Sequence, residues 1–190
     1  MLSSSLAVPA RAPLLEPMEP MRIVLYRHAP AETSDPQRWP DDLARPLTAR
    51  GKARARRAAR AIVQLEPGIT HVLTSPAIRA HGTAEILCRA LGASFEAGTM
   101  PSLVPGGSWR ETLRVLAREA GDAVVVLVGH EPDLGKLAGV LLFGAPAAVP
   151  LKKAGACAIE AESPAAGAGR LRWLWSPGAL RALARKRSKA

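Results

Sequence analysis

The chain has 190 residues, 48% of them hydrophobic and 22% charged, enough for one sizeable core and hardly enough for two. No apolar run reaches the roughly 20 residues of a bilayer-spanning helix, which excludes a helical membrane protein. Cys88 and Cys157 form no CxxC, which argues against a disulfide framework or structural zinc and favours a reducing, cytoplasmic setting. The net charge of +10 favours anionic partners (phosphorylated substrates, nucleic acid, acidic proteins) without choosing among them.

Residues 1–20 hold Pro9, Pro13, Pro17 and Pro20 and lack the basic start of a secretory signal. They are expected to be a disordered leader, or to precede a natural start at Met21. From there strands and helices alternate. A β-branched run over 22–26 predicts a strand buried on both faces. A polar, proline-rich loop follows over 29–46. Thr48 then precedes a helix over 49–65, with Ala55, Ala58, Ala59 and Ile62 on one face and Glu66-Pro67-Gly68 as its stop. A strand over 71–74, a helix over 78–91 closed by Gly92, and a weak strand over 94–96 come next. A helix over 108–119, a buried strand over 123–128 and a helix over 134–143 continue the pattern. Strands over 157–162 and 170–175 flank a Gly/Ala/Pro turn and read as an antiparallel hairpin. A short basic helix over 178–186 opens a basic tail that runs to 190. The fold class is α/β: three layers, a mainly parallel central sheet flanked by helices, and an antiparallel edge hairpin near the C-terminus. The domain is placed at 21–177.

In open α/β sheets ligands collect beyond the carboxyl ends of the strands. Arg27-His28 follows the first strand. Ser75-Pro76 follows the second, with Arg79 one helical turn on, and Gly129-His130 follows the buried strand 123–128. Two guanidinium forks beside two imidazoles suit a tetrahedral oxyanion. An imidazole among cations is also a nucleophile suited to phosphorus, because its neighbours cancel the charge that would repel it.

The blocks LYRHAPAE, SPAIRAHGTAEIL and VGHEPDLG resemble those of the histidine phosphatase (phosphoglycerate mutase-like) superfamily. ARPLTARG and RLRWLWSP are similar to its small SixA-type phosphohistidine phosphatase branch. The resemblance runs from Met21 to about Pro177. It implies that His28 is the nucleophile, that Arg27 and Arg79 hold the phosphoryl oxygens, and that His130 binds and stabilises them. It implies a further phosphate-binding role for Arg45 of ARPLT. Glu131 is the candidate proton donor, set against its simpler reading as a first-turn acid of the following helix. No metal or cofactor is expected.

Two departures from the family pattern stand out. Ala29 replaces a glycine common after the nucleophile, which is tolerable only at negative φ. The stretch 98–110, where mutase and acid-phosphatase branches carry a general acid, has no Asp or Glu. Expelling an alkoxide normally needs such an acid, whereas a ring-protonated imidazole departs as a neutral molecule. The expected activity is therefore removal of phosphoryl groups from protein phosphohistidine. The alternatives are a small-molecule phosphomonoesterase or a weakly catalytic phosphoprotein-binding module. The stretch 92–122 is too short for a lid, so the site is expected to admit a protein-borne group.

The crowd of Arg50, Lys52, Arg54, Arg56, Arg57 and Arg60 on one helix reads first as a solvated face, and otherwise as a dock for an acidic protein or a nucleic acid. Aromatic residues are only 4%, giving no stacking platform for nucleic acid. Trp173 and Trp175 read as packing, and His71 and His81 as ordinary surface or packing residues. A monomer without membrane attachment is expected.

Overall fold

The computed structural model describes residues 19–119 and 121–186. Most of the proposed leader and the last part of the basic tail, 187–190, lie outside the described residues. In chain order the elements are β1 (Met21–Arg27), α1 (Ala49–Leu65), β2 (His71–Thr74), α2 (Ile78–Leu91), β3 (Ala97–Thr99), α3 (Trp109–Leu116), β4 (Val124–Gly129), α4 (Asp133–Phe143), β5 (Ala156–Ala161), β6 (Gly169–Trp175) and α5 (Pro177–Lys186). Short 3-10 turns occupy Asp42–Ala44 and Pro101–Leu103.

The sheet order is β3-β2-β4-β1-β5-β6. β1, β2, β3 and β4 are parallel, while β5 runs antiparallel to both β1 and β6. The aliphatic runs in β1 and β4 are buried because helices cover both faces of these central strands. Val24, Tyr26, Val124, Val126 and Val128 face the layer of α1, α2 and α5. Ile23, Leu25, Val125 and Leu127 face that of α3 and α4. This is the expected three-layer α/β arrangement. Leu180 of α5 is fully buried in the first layer, so the basic helix is packed against the domain rather than trailing from it. Among the described residues no helix is long and apolar enough to cross a membrane.

The weak strand expected at 94–96 lies instead at Ala97–Thr99. Gly92 turns the chain at φ 137°, the Phe95 N–H closes that turn on the Gly92 carbonyl, and the Phe95 ring packs on the core. Pairing with Val72–Thr74 begins only afterwards. The helix expected over 108–119 is shorter, with Ser108 as its N-cap and turns after Leu116.

Both ends of α1 are tied down. At its start Thr48 Oγ1 accepts from the Gly51 N–H (2.9 Å) and the Thr48 N–H donates to Pro30 O (3.2 Å). Gly51 lies so close to Pro30 that any Cβ there would overlap its carbonyl oxygen, which is why this turn takes glycine. At its end Glu66 is fully buried and accepts from Arg22 Nη1 (2.9 Å) on β1 and Trp173 Nε1 (2.7 Å) on β6. Removing this carboxylate strands a partly buried indole N–H and an arginine. Glu66→Ala is expected to lower stability by about 2–4 kcal/mol, read from urea midpoints, and Glu66→Gln by less. A loss under about 0.5 kcal/mol would show that the tie contributes nothing.

Candidate active site

The register of β1 on β4 brings the two histidines together. Arg27 pairs with Gly129, and the His28 N–H donates to Gly129 O at 3.0 Å. The next residues, His28 and His130, then stand with ring centroids 5.0 Å apart and only 5% and 2% exposed. At the end of β2 the Ser75 N–H donates to Val128 O (3.0 Å), which places Ser75 Oγ 3.0 Å from His130 Nε2.

The tautomer of His28 follows from its neighbour. Nδ1 lies 2.8 Å from Ala29 O, and a carbonyl can only accept, so Nδ1 carries the proton. The lone pair of the neutral ring is therefore on Nε2. Burial pushes the His28 pKa down to about 3 against the opposing effect of the Ala29 hydrogen bond, with help from His130, Arg79 and Arg27. Burial and Arg79 likewise push His130 down to about 4. Both rings are neutral near pH 7. Ala29 is not among the positive-φ residues, so it sits after His28 without that strain. Its N–H donates to Thr83 Oγ1 (3.1 Å), which itself donates to Arg79 O (2.7 Å).

The cations surround this pair. Arg27 Nη1 donates to Leu151 O (2.8 Å). Arg79, only 3% exposed, pairs through Nη2 with Asp42 Oδ2 (2.8 Å). Arg45 donates through Nε to Asp42 Oδ1 (2.8 Å) and through Nη1 to Glu32 O (2.8 Å). Arg45 and Arg79 thus meet on one carboxylate. Hydrogen bonding from Arg45 holds Asp42 below the usual carboxylate range despite partial burial. Arg27 Nε, Arg79 Nε and His130 Nδ1 are buried and have no hydrogen-bond partner among the described residues. Unpartnered buried polar atoms are rare, and all three belong to residues expected to bind the oxyanion.

Glu131 lies behind Arg27. Its Oε1 accepts from the Leu151 N–H (3.0 Å), and Leu151 returns its carbonyl to Arg27. Burial raises its pKa. The segment beyond Leu151 wraps the end of β1: the Ala154 N–H is 3.2 Å from both Arg27 O and His28 O, with Ala154 at φ 63°. Lys153, next to it, has its pKa lowered by burial and by Arg27, Arg45 and Arg79, and no side-chain partner is found for it among the described residues.

Sequence reasoning singled out no role for Asp42, Thr83 or Lys153, and named Ser75 only as a strand-end residue. The one available signal for Asp42 was its position three residues before Arg45; the path of that loop over the strand ends is not written in any periodicity. His71 and His81 lie elsewhere, beside Glu119 and Glu85. Chemically, the pocket combines a neutral imidazole bearing a free lone pair with arginines whose donors suit a tetrahedral anion.

A family model described as the histidine phosphatase superfamily (branch 1) matches residues 23–104. An uncharacterised protein of Picosynechococcus sp. (strain PCC 7002) is 40% identical over 142 residues, covering 71% of this chain and 82% of that protein. The protein histidine phosphatase SixA, solved in complex with tungstate, superposes with a TM-score of 0.70 at 28% identity, covering 83% of this chain and 98% of that one. A phosphoserine phosphatase variant from Entamoeba histolytica, solved with phosphoserine, shares the fold at a TM-score of 0.59 and 16% identity, covering 83% and 98% of the two chains.

The His28 ring is expected to remain neutral, with its proton on Nδ1, from about pH 8 down to about pH 4, as read by nitrogen NMR of the imidazoles. A midpoint near the ordinary 6.5 would show instead that the ring is solvated. Asp42 competes with any anion for Arg79 and Arg45, and it is half exposed. Asp42→Asn is therefore expected to tighten inorganic phosphate binding by about twofold to fivefold, measured by calorimetry. Weaker binding would mean that Asp42 orders the arginines more than it competes for them.

Proposed function

Because the chain belongs to the histidine phosphatase superfamily, in its SixA-type branch, we propose that this phosphatase removes phosphoryl groups from phosphohistidine on a protein, through a covalent intermediate at His28. The observation that carries the substrate class is the state of the nearby carboxylates. Asp42 is held ionised by Arg45, and Glu131 accepts a backbone N–H. Asp42, the carboxylate that meets Arg79 and Arg45, is thus an acceptor, suited to a leaving group that needs no proton from the enzyme, whereas Glu131, whose pKa burial raises, is tied to the Leu151 N–H.

In the first step the Nε2 lone pair of His28 attacks phosphorus in line with the P–N bond of the substrate. As Nε2–P forms, that bond breaks, and its electron pair stays with the departing imidazole, which is neutral because its other nitrogen carries a proton. His28 then bears a phosphoryl group on Nε2 and a proton on Nδ1, and Ala29 O stabilises this more acidic N–H. In the second step water attacks phosphorus, the Nε2–P pair returns to the ring, and dihydrogen phosphate leaves. The positive charge needed around the three phosphoryl oxygens comes from Arg27 and Arg79, with Arg45 and His130 completing the cradle. The SixA relative was solved with tungstate, a tetrahedral oxyanion, which supports oxyanion binding by a protein of this fold. The buried free thiols Cys88 and Cys157 support assignment to the cytoplasm.

Phosphate release from a phosphohistidine-bearing protein, measured in chelator, is expected to fall at least about 1,000-fold in His28→Ala. An alkyl phosphomonoester such as glycerol phosphate, whose alkoxide needs a proton to depart, should be turned over at least about 100-fold more slowly than the phosphoramidate bond. Hydrolysis of monoesters with none of the phosphoprotein would replace this reading by that of a small-molecule phosphomonoesterase. Tight phosphate binding without turnover of either would indicate a phosphoprotein-binding module.

A further inference from the structure

A groove of about 500 Å³ lies between α1 and α2, beside the His28 pocket. Two of its lining residues adjoin site residues along the chain: Pro46 follows Arg45 and Ile78 precedes Arg79. Leu47 and Ile86 are its nearly buried floor, whereas Ile78 is 50% exposed. Gly82 adds breadth: a Cβ there would sit in open contact, 3.6 Å from Leu47 Cδ1, so the groove is wider for the glycine.

Its charge is lopsided. Lys52 and Arg56 stand on the α1 wall, exposed and one helical turn apart. No hydrogen bond or ion pair of either side chain is found among the described residues. Like charges at this spacing repel, so an anion lying between them would relieve the repulsion. Across the groove, Glu85 pairs with Arg89 (3.5 Å), itself part of the lining, and no ion pair of Glu85 with Lys52 or Arg56 is found among the described residues. An apolar floor under an unbalanced positive wall is the complement of an acidic amphipathic segment.

We propose that this groove docks an acidic, amphipathic segment of the phosphoprotein substrate, next to its phosphohistidine. An aliphatic side chain of that segment rests on Ile78 and Leu47, and its carboxylates meet Lys52 and Arg56. The proposal builds on the phosphohistidine reading given above. It gives the basic stretch of α1 a function that the chemistry at His28 does not use, and it makes the protein around the phosphoryl group part of what is recognised.

The test compares a phosphohistidine-bearing protein with phosphoramidate, a P–N probe too small to reach the groove. Two variants are used, Lys52→Glu/Arg56→Glu, which inverts the wall, and Gly82→Leu, which fills the trough. Both are expected to raise KM for the phosphoprotein at least tenfold with kcat little changed, and to leave phosphoramidate hydrolysis as it was. The charge inversion should lose most of its effect at high salt, and the filling variant should not. A parallel fall in phosphoramidate hydrolysis would overturn the proposal, because the groove would then be supporting the pocket. An unchanged KM for the phosphoprotein in both variants would overturn it too. Turnover of phosphoramidate but not of phosphoprotein by the unaltered enzyme would be a different failure: it would remove the phosphohistidine reading, and the docking role with it.

Discussion

The in-register parallel pairing of β1 with β4 is the constraint on which the site depends. Arg27 opposite Gly129 puts His28 beside His130, and a slip of one residue would turn every side chain of the strand to the other face. Such a slip is opposed along both faces at once. Ile23 and Leu25 would leave one core, and Val24 and Tyr26 the other, all from fully buried positions. The hydrophobic packing of the sheet therefore sets the spacing of two polar rings at its edge. β2 extends the arrangement, since its pairing with β4 carries Ser75 to His130.

Around this frame the electrostatics point one way. Arg27, Arg45, Arg79 and Lys153 all bear on the pocket, and the histidines respond by staying neutral. A charged imidazole would add to the repulsion; a neutral one is a nucleophile. The arginines remain cations even when burial disfavours their charge. The two carboxylates near them are placed differently: Asp42 meets two arginines in front, whereas Glu131 fastens the Leu151 segment behind Arg27. A phosphoryl group brings the negative charge that this collection of cations lacks.

Much of this was legible in the sequence because it rests on short-range chemistry. A run such as Val124–Val128 can hardly be anything but a strand covered on both faces, and the residue types just after it and after β1 show where catalysis is to be sought. Thr48, Glu66 and Gly92 mark helix ends by ordinary capping and turn preferences. What escaped is what depends on how loops travel. Asp42 looked like one of four acids in a proline-rich loop, and only the folded path across the strand ends brings it to Arg79. Lys153 preceded a strand without any pattern of its own, and its place follows from the Ala154 turn. The third strand was displaced because the Phe95 ring serves the core from a turn, where an aromatic residue would ordinarily suggest a strand.

The double tethering of α1 has a consequence for encounter. With Gly51 pressed on Pro30 at one end and Glu66 bound to two strands at the other, the helix has little freedom to slide or tilt. Its exposed side is a preformed template, so adaptation on meeting another molecule falls to that molecule. A visitor already shaped to fit loses little conformational entropy, and a floppy one must lose much more to make the same contacts. Under the docking role proposed above, selectivity among proteins carrying the same modified side chain would arise from the order of the surrounding chain as much as from its composition.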